Sequence, residues 1–135
     1  MNIVVGYVMS PEGDAALEAA VEEAKLRNGS LFVLHSSRGG HSESEEEVLA
    51  YRDAGEAIEE RLQGEGLEFE LHGYVLGNAP SEDIVRVAKE QGAELIVIGI
   101  RRRSRVGKLL LGSNAQEILM DAPCPVLAVK APEHT

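Results

Sequence analysis

Four stretches of this chain run apolar with almost no interruption: Ile3-Val4-Val5-Gly6-Tyr7-Val8, Leu31-Phe32-Val33-Leu34-His35, Leu95-Ile96-Val97-Ile98 and Val126-Leu127-Ala128-Val129. A strand with one wet face alternates apolar with polar residues. A strand covered on both faces does not, and that pattern belongs to parallel sheets with helices above and below. A fifth stretch, Leu67 to Val75, does alternate, which marks a half-exposed edge strand.

The intervals between these strands carry helical period and helical punctuation. Ser10-Pro11-Glu12 supplies an N-cap, a proline at the first helical position and an early acid, and Asn28-Gly29 offers residues that tolerate a left-handed ending. Ala16, Leu17, Ala20, Val21 and Ala24 form the buried face between them. After a Ser-, Gly- and Glu-rich loop from Ser36, the residues Val48, Tyr51, Ile58 and Leu62 lie on one stripe of a helix that ends near Gln63-Gly64. Gly77 to Ser81 opens a third helix, with Ile84, Val85 and Ala88 inside and Gln91-Gly92 at its end. Gly112-Ser113-Asn114 caps a fourth, with Ile118 and Leu119 inside, and Ala122-Pro123-Cys124-Pro125 breaks it. Strands alternating with helices, joined by right-handed crossovers, predict an α/β fold: a doubly wound, five-stranded parallel sheet with helices on both faces. A chain of 135 residues suffices for one such domain, residues 1–135, burying roughly 65–70% of its unfolded surface.

Charge narrows the partners. With 23 acidic residues against 13 basic, the net charge of −10 repels nucleic acid and anionic membranes over most of the surface. The one cysteine, Cys124, can form no internal disulfide and reads as a buried structural thiol. No basic segment precedes the first apolar run, and no stretch approaches the roughly 20 apolar residues of a membrane span, so the expected address is cytoplasmic.

Against that acidic background the stretch Leu95 to Asn114 reverses sign. Between Gly99 and Ser113 stand Arg101, Arg102, Arg103, Arg105 and Lys108, with no acid. A buried strand running through a basic glycine-containing loop into a helix start is an arrangement that favours an anion, because loop and helix N-terminus both present unsatisfied N–H donors. Ligands of doubly wound sheets bind beyond the carboxyl ends of the strands, at the switch point; if the first and fourth strands meet there, this loop lies beside Val8 and Ser36. The loop is no Walker A motif, which needs glycine at 102 and Ser or Thr at 109, where Arg102 and Leu109 stand. Tyr7 to Pro11 contains no glycine for a dinucleotide fingerprint, and no nucleophile elbow, zinc-protease or Cys/His metal spacing occurs. His35, at the end of a strand, reads as a hydrogen-bonded core residue more simply than as a ligand or base.

What is left is Gly99-x2-Arg102-x9-Gly112-Ser113, together with Ile3-Val4-Val5, His35, Gly77 and Pro80, Leu95 to Gly99, Lys108 to Ser113, and Ala122 to Val129. In these residues the chain resembles the universal stress protein family over nearly its whole length. The resemblance implies the strand order 3-2-1-4-5, a homodimer paired through the last strand, Val126-Val129, and, in one subclass, ATP or AMP held by a G-x2-G-x9-G-(S/T) loop, with Mg²⁺ if ATP. Carried over by position, Gly99 would lie against the ribose, Gly112, Ser113 and Asn114 would donate to phosphates, and the backbone near Ser36 would read the adenine edge.

Two positions depart from the pattern. Arg102 stands where the second loop glycine belongs, and Val8 where an aspartate contacts the ribose. Losing that carboxylate removes a hydrogen bond worth on the order of 0.5–1.5 kcal/mol. Arg101, Arg102 and Arg103 offer charge-assisted contacts to phosphate in exchange. The reading is a stress-response regulatory protein that binds an adenine nucleotide, with hydrolysis absent or slow. The alternative is a nucleotide-free protein-interaction module of the same fold that docks through the arginine loop. A hydrolase is the weaker reading, because the loop supplies no carboxylate to hold Mg²⁺ or orient water.

Overall fold

The computed structural model describes residues 1–36, 44–73, 79–101 and 111–132. Strands and helices alternate from end to end: β1 (Asn2–Val8), α1 (Pro11–Arg27), β2 (Ser30–Ser36), α2 (Glu45–Gly64), β3 (Phe69–Gly73), α3 (Pro80–Glu90), β4 (Leu95–Ile100), α4 (Ser113–Asp121) and β5 (Val126–Lys130). All strand pairs are parallel, as the apolar runs led us to expect, and the order is β3-β2-β1-β4-β5, as the family resemblance implied. Tyr74 and Val75, expected to prolong the edge strand, lie outside the described residues.

The unbroken apolar runs are unbroken because each residue meets a helix on one side or the other. Ile3, Val5, Tyr7, Leu31, Val33 and Val97 face α1 and α2, while Val4, Leu34, Ile96, Ile98 and Ile100 face α3 and α4. Helix ends follow the local chemistry. Ser10 Oγ accepts from the Gly13 N–H at 3.0 Å and Ser44 Oγ from the Glu47 N–H at 3.1 Å, so α1 and α2 each begin on a serine cap. Asn28 closes α1 in the left-handed conformation at φ 53°.

Amphipathic stripes foretold burial less well than strands did. Ile58 and Leu62 are buried, but Val48 is 51% exposed, since the first turns of α2 run past the cover of the sheet. Leu119 is likewise 45% exposed: one residue beyond the buried Ile118, it is turned about 100° away from the sheet. Cys124 is half-buried, and burial pushes its thiol up.

Candidate functional site

The strand order reverses between β1 and β4. These strands are in register at Ile3 with Leu95, Val4 with Ile96 and Val5 with Val97, and beyond that pairing a cleft of about 190 Å³ opens on the α3/α4 side. Its walls are Gly6 and Val8 of β1, Ser36 of β2, Ile98 and Gly99 of β4, and the beginnings of α3 and α4. Val8 and Ser36 stand opposite one another in the β1–β2 register. Ile84 and Ile118 close the floor. Larger hollows of about 520 Å³ lie between α3 and α4 and between α1 and β5, and one of about 260 Å³ lies at the opposite end of the sheet beside Asn2 and Gln91; none of these reaches the switch point.

Two helices aim their N-termini at this cleft, through Pro80 of α3 and through Asn114 and Ala115 of α4. Neither has a side-chain cap among the described residues: their N-cap positions are Ala79 and Gly112. That contrasts with the serine caps of α1 and α2; α3 begins on Pro80, which has no N–H, and its Glu82 N–H donates to the Ala79 carbonyl, whereas the first N–H donors of α4 are left to other acceptors. The two differ in charge. The first turn of α3 carries Glu82 and the buried Asp83, whereas that of α4 carries no acid, so α4 keeps the positive end of its dipole. Gly112 has φ −66° and ψ 165°, which any residue can adopt; what its missing side chain provides is open backbone ahead of Ser113.

Of the residues marked out by sequence, Val8, Ser36, Gly99 and Asn114 therefore converge on the cleft wall. Gly112 and the exposed Ser113 adjoin it at the start of α4. Arg101 goes elsewhere. Its guanidinium binds Glu12 Oε1, with Nη2 at 3.0 Å and Nε at 3.2 Å. Burial opposes ionisation of Glu12, but a hydrogen bond from its own backbone N–H and the Arg101 charge outweigh it and hold the carboxyl below its usual range. Arg102, Arg103, Arg105, Lys108 and Gly77 lie outside the described residues.

Gly99 has a packing role that the motif did not disclose. A Cβ there would stand 2.1 Å from the backbone oxygen of Glu12, so the first turn of α1 rests directly on the end of β4. Glu12 thus fastens α1 to β4 twice, by its backbone at Gly99 and by its carboxylate at Arg101. From sequence it was one acid in a helix's first turn, where acids are common for dipole reasons alone. Asp14, two residues further, accepts from the Tyr7 hydroxyl at 2.9 Å, and burial together with that bond pushes the phenol up to about 12.

His35 belongs to the opposite face. It is 2% exposed and stacked on Tyr51 at 3.9 Å and 7°, and the Tyr51 hydroxyl donates to the His35 carbonyl at 2.8 Å. The core placement read from sequence holds, but its Nε2 is buried without a hydrogen-bond partner among the described residues. Burial lowers the imidazole to about 4, so it is neutral at neutral pH.

Among the described residues no helix is long and apolar enough to cross a membrane. Comparison with known proteins accords with the fold. The model of the universal stress protein family matches residues 1–130. A universal stress protein of Mycolicibacterium smegmatis is 44% identical over 135 residues, spanning 95% of this chain and 96% of that one. The solved universal stress protein of Archaeoglobus fulgidus superposes with a TM-score of 0.77 at 38% identity, over 96% of this chain and 98% of that one. A universal stress protein structure from the same organism, in complex with dAMP, gives 0.68 at 31% identity, again over 96% and 98%. With an unbroken match along both sequence and sheet, this chain belongs to the universal stress protein family.

Proposed function

We propose that this protein is a stress-response regulator that binds an adenine nucleotide, AMP or ATP, at the β1–β4 switch point. The observation that carries the reading is the cleft itself: an apolar slot bordered by two helix N-termini without side-chain caps, one of them free of acids in its first turn. Ligand pockets commonly measure roughly 300–1,000 Å³. A slot of about 190 Å³ is too small for a whole nucleotide, so the base and part of the sugar enter between Val8, Ile84, Ile98 and Ile118. The phosphate stays outside, over the backbone N–H groups that begin at Gly112, Ser113 and Asn114. ATP would bring Mg²⁺ on its own phosphates, since Glu12 already holds Arg101. The dAMP complex of a relative supports the ligand class.

Calorimetric titration with AMP, Mg-ATP and cyclic AMP tests the reading, and absence of heat at millimolar ligand overturns it. Ser113→Asp makes the test specific. An acid at the start of α4 favours the helix dipole but repels a phosphate, so the melting temperature should hold or rise while affinity falls by about tenfold or more. Equal affinity in the variant would remove the phosphate from α4.

The alternative, a nucleotide-free interaction module, gains support from Gly99 and Arg101, both engaged by Glu12. Mass spectrometry of gently purified protein separates the two, because a co-purified nucleotide contradicts the module. We further read the protein as a cytoplasmic homodimer paired through β5, with hydrolysis absent or slow.

A further inference from the structure

We infer that the cleft does not read the 2′ position of the sugar, so that the protein binds 2′-deoxyribonucleotides as tightly as ribonucleotides. The inference rests on the nucleotide reading above and deepens it. A protein that selects ribose presents an ionised acceptor to the sugar hydroxyls, because a charge-assisted bond from hydroxyl to carboxylate is about twice as strong as a neutral one. Among the described residues, no Asp or Glu walls this cleft. The strand end nearest the switch point carries Val8, whose branched aliphatic side chain accepts nothing.

The two acids closest in sequence to that strand end are both engaged elsewhere. Glu12 holds the Arg101 guanidinium, and its backbone is packed on Gly99, which fixes the turn that bears it. Asp14 accepts the hydroxyl of Tyr7, a residue whose ring packs with the α1/α2 core. Moving either carboxylate to the sugar would break the Arg101 pair in one case and strand a buried phenol in the other. The polar side chains on the wall among the described residues, Tyr7, Ser36 and Asn114, carry no charge. An apolar wall also favours the less hydroxylated sugar, which carries one polar group fewer to desolvate.

Calorimetric titration of the intact protein with AMP and with 2′-deoxy-AMP decides the matter. The expected outcome is two dissociation constants within about threefold of each other, less than one good hydrogen bond provides. A preference for AMP beyond that overturns the inference while leaving the nucleotide reading intact. No heat with either ligand at millimolar concentration overturns the nucleotide reading, and the inference falls with it. Val8→Asp, which restores an acceptor at the strand end, should create an AMP preference of about tenfold; Val8→Asn serves where the aspartate disturbs folding, with a smaller preference. A variant that binds both sugars alike would also overturn the inference, because Val8 would then not be the residue that sets it.

Discussion

His35 carries a burial penalty that pH can expose. Its imidazole is lowered to about 4 against an unfolded value near 6.5, because burial between Tyr51 and the core disfavours the charged form, and Nε2 has no partner among the described residues. Tyr7, packed nearby at 5.4 Å between ring centroids, donates its phenol hydroxyl to Asp14, and among the described residues no acid is paired with the imidazole. Between those two values the unfolded chain binds a proton that the native protein refuses. Stability therefore is full above pH 6.5 and falls as the pH drops toward 4, by on the order of 3 kcal/mol. His35→Phe keeps a flat ring against Tyr51 and removes the titration. Urea midpoints measured from pH 7 to pH 4.5 should fall more steeply for the native protein than for the variant. Parallel curves would mean that the imidazole finds a proton acceptor.

At the scale of elements, the cleft depends on how closely α1 lies on the two central strands. A Cβ on Gly13 would meet the Val8 backbone oxygen at 1.8 Å, and one on Gly99 the Glu12 backbone oxygen at 2.1 Å. Neither contact can yield by a side-chain rotation, since both partners are backbone. Gly99→Ala should therefore lower stability by about 1–3 kcal/mol without any ligand present, as seen by chemical denaturation. If Gly99 were there only to admit a sugar, the variant would be as stable as the parent and only binding would suffer.

The same contact shows where sequence reading stops. The strands were legible because unbroken runs such as Leu95 to Ile98 leave no other cover than helices on both sides, and the caps at Ser10 and Asn28 were legible because their chemistry is local. Gly99 stood out as a glycine of a binding motif, yet its nearest neighbour is a helix that sequence placed only approximately. Glu12 was visible as an acid but not as the partner of Arg101, a residue 89 positions away. The stripe on α2 was read correctly at Ile58 and Leu62 and wrongly at Val48, because periodicity tells which side of a helix is apolar, not how far the sheet extends beneath it.

On the scale of the whole molecule, an open five-stranded sheet has two edges, and they are built differently. At β3 the exposed positions are Glu70, His72 and Gly73, and Glu68 precedes them, so that edge carries charge. At β5, Val126, Leu127 and Val129 are partly exposed, Ala128 is exposed, and an apolar groove beside Pro11, Ala15 and Ala19 continues the surface. An edge whose charge is confined to Lys130 at its end templates pairing with another strand. A second copy of the same strand, related by a two-fold axis, closes it without leaving a further edge. The acidic chain opposes association at long range, but at physiological ionic strength charges more than about 8 Å apart are largely screened. Light scattering at tens of micromolar should therefore give twice the chain mass. Ala128→Glu is the discriminating change: the position is exposed in the single chain, so the fold should persist, while a two-fold axis would bring two new carboxylates near one another. The variant should sediment as a monomer with unchanged circular dichroism, and its melting temperature should lose the rise with protein concentration that the parent shows. A parent that is monomeric, or a variant that remains dimeric, would move the interface away from β5.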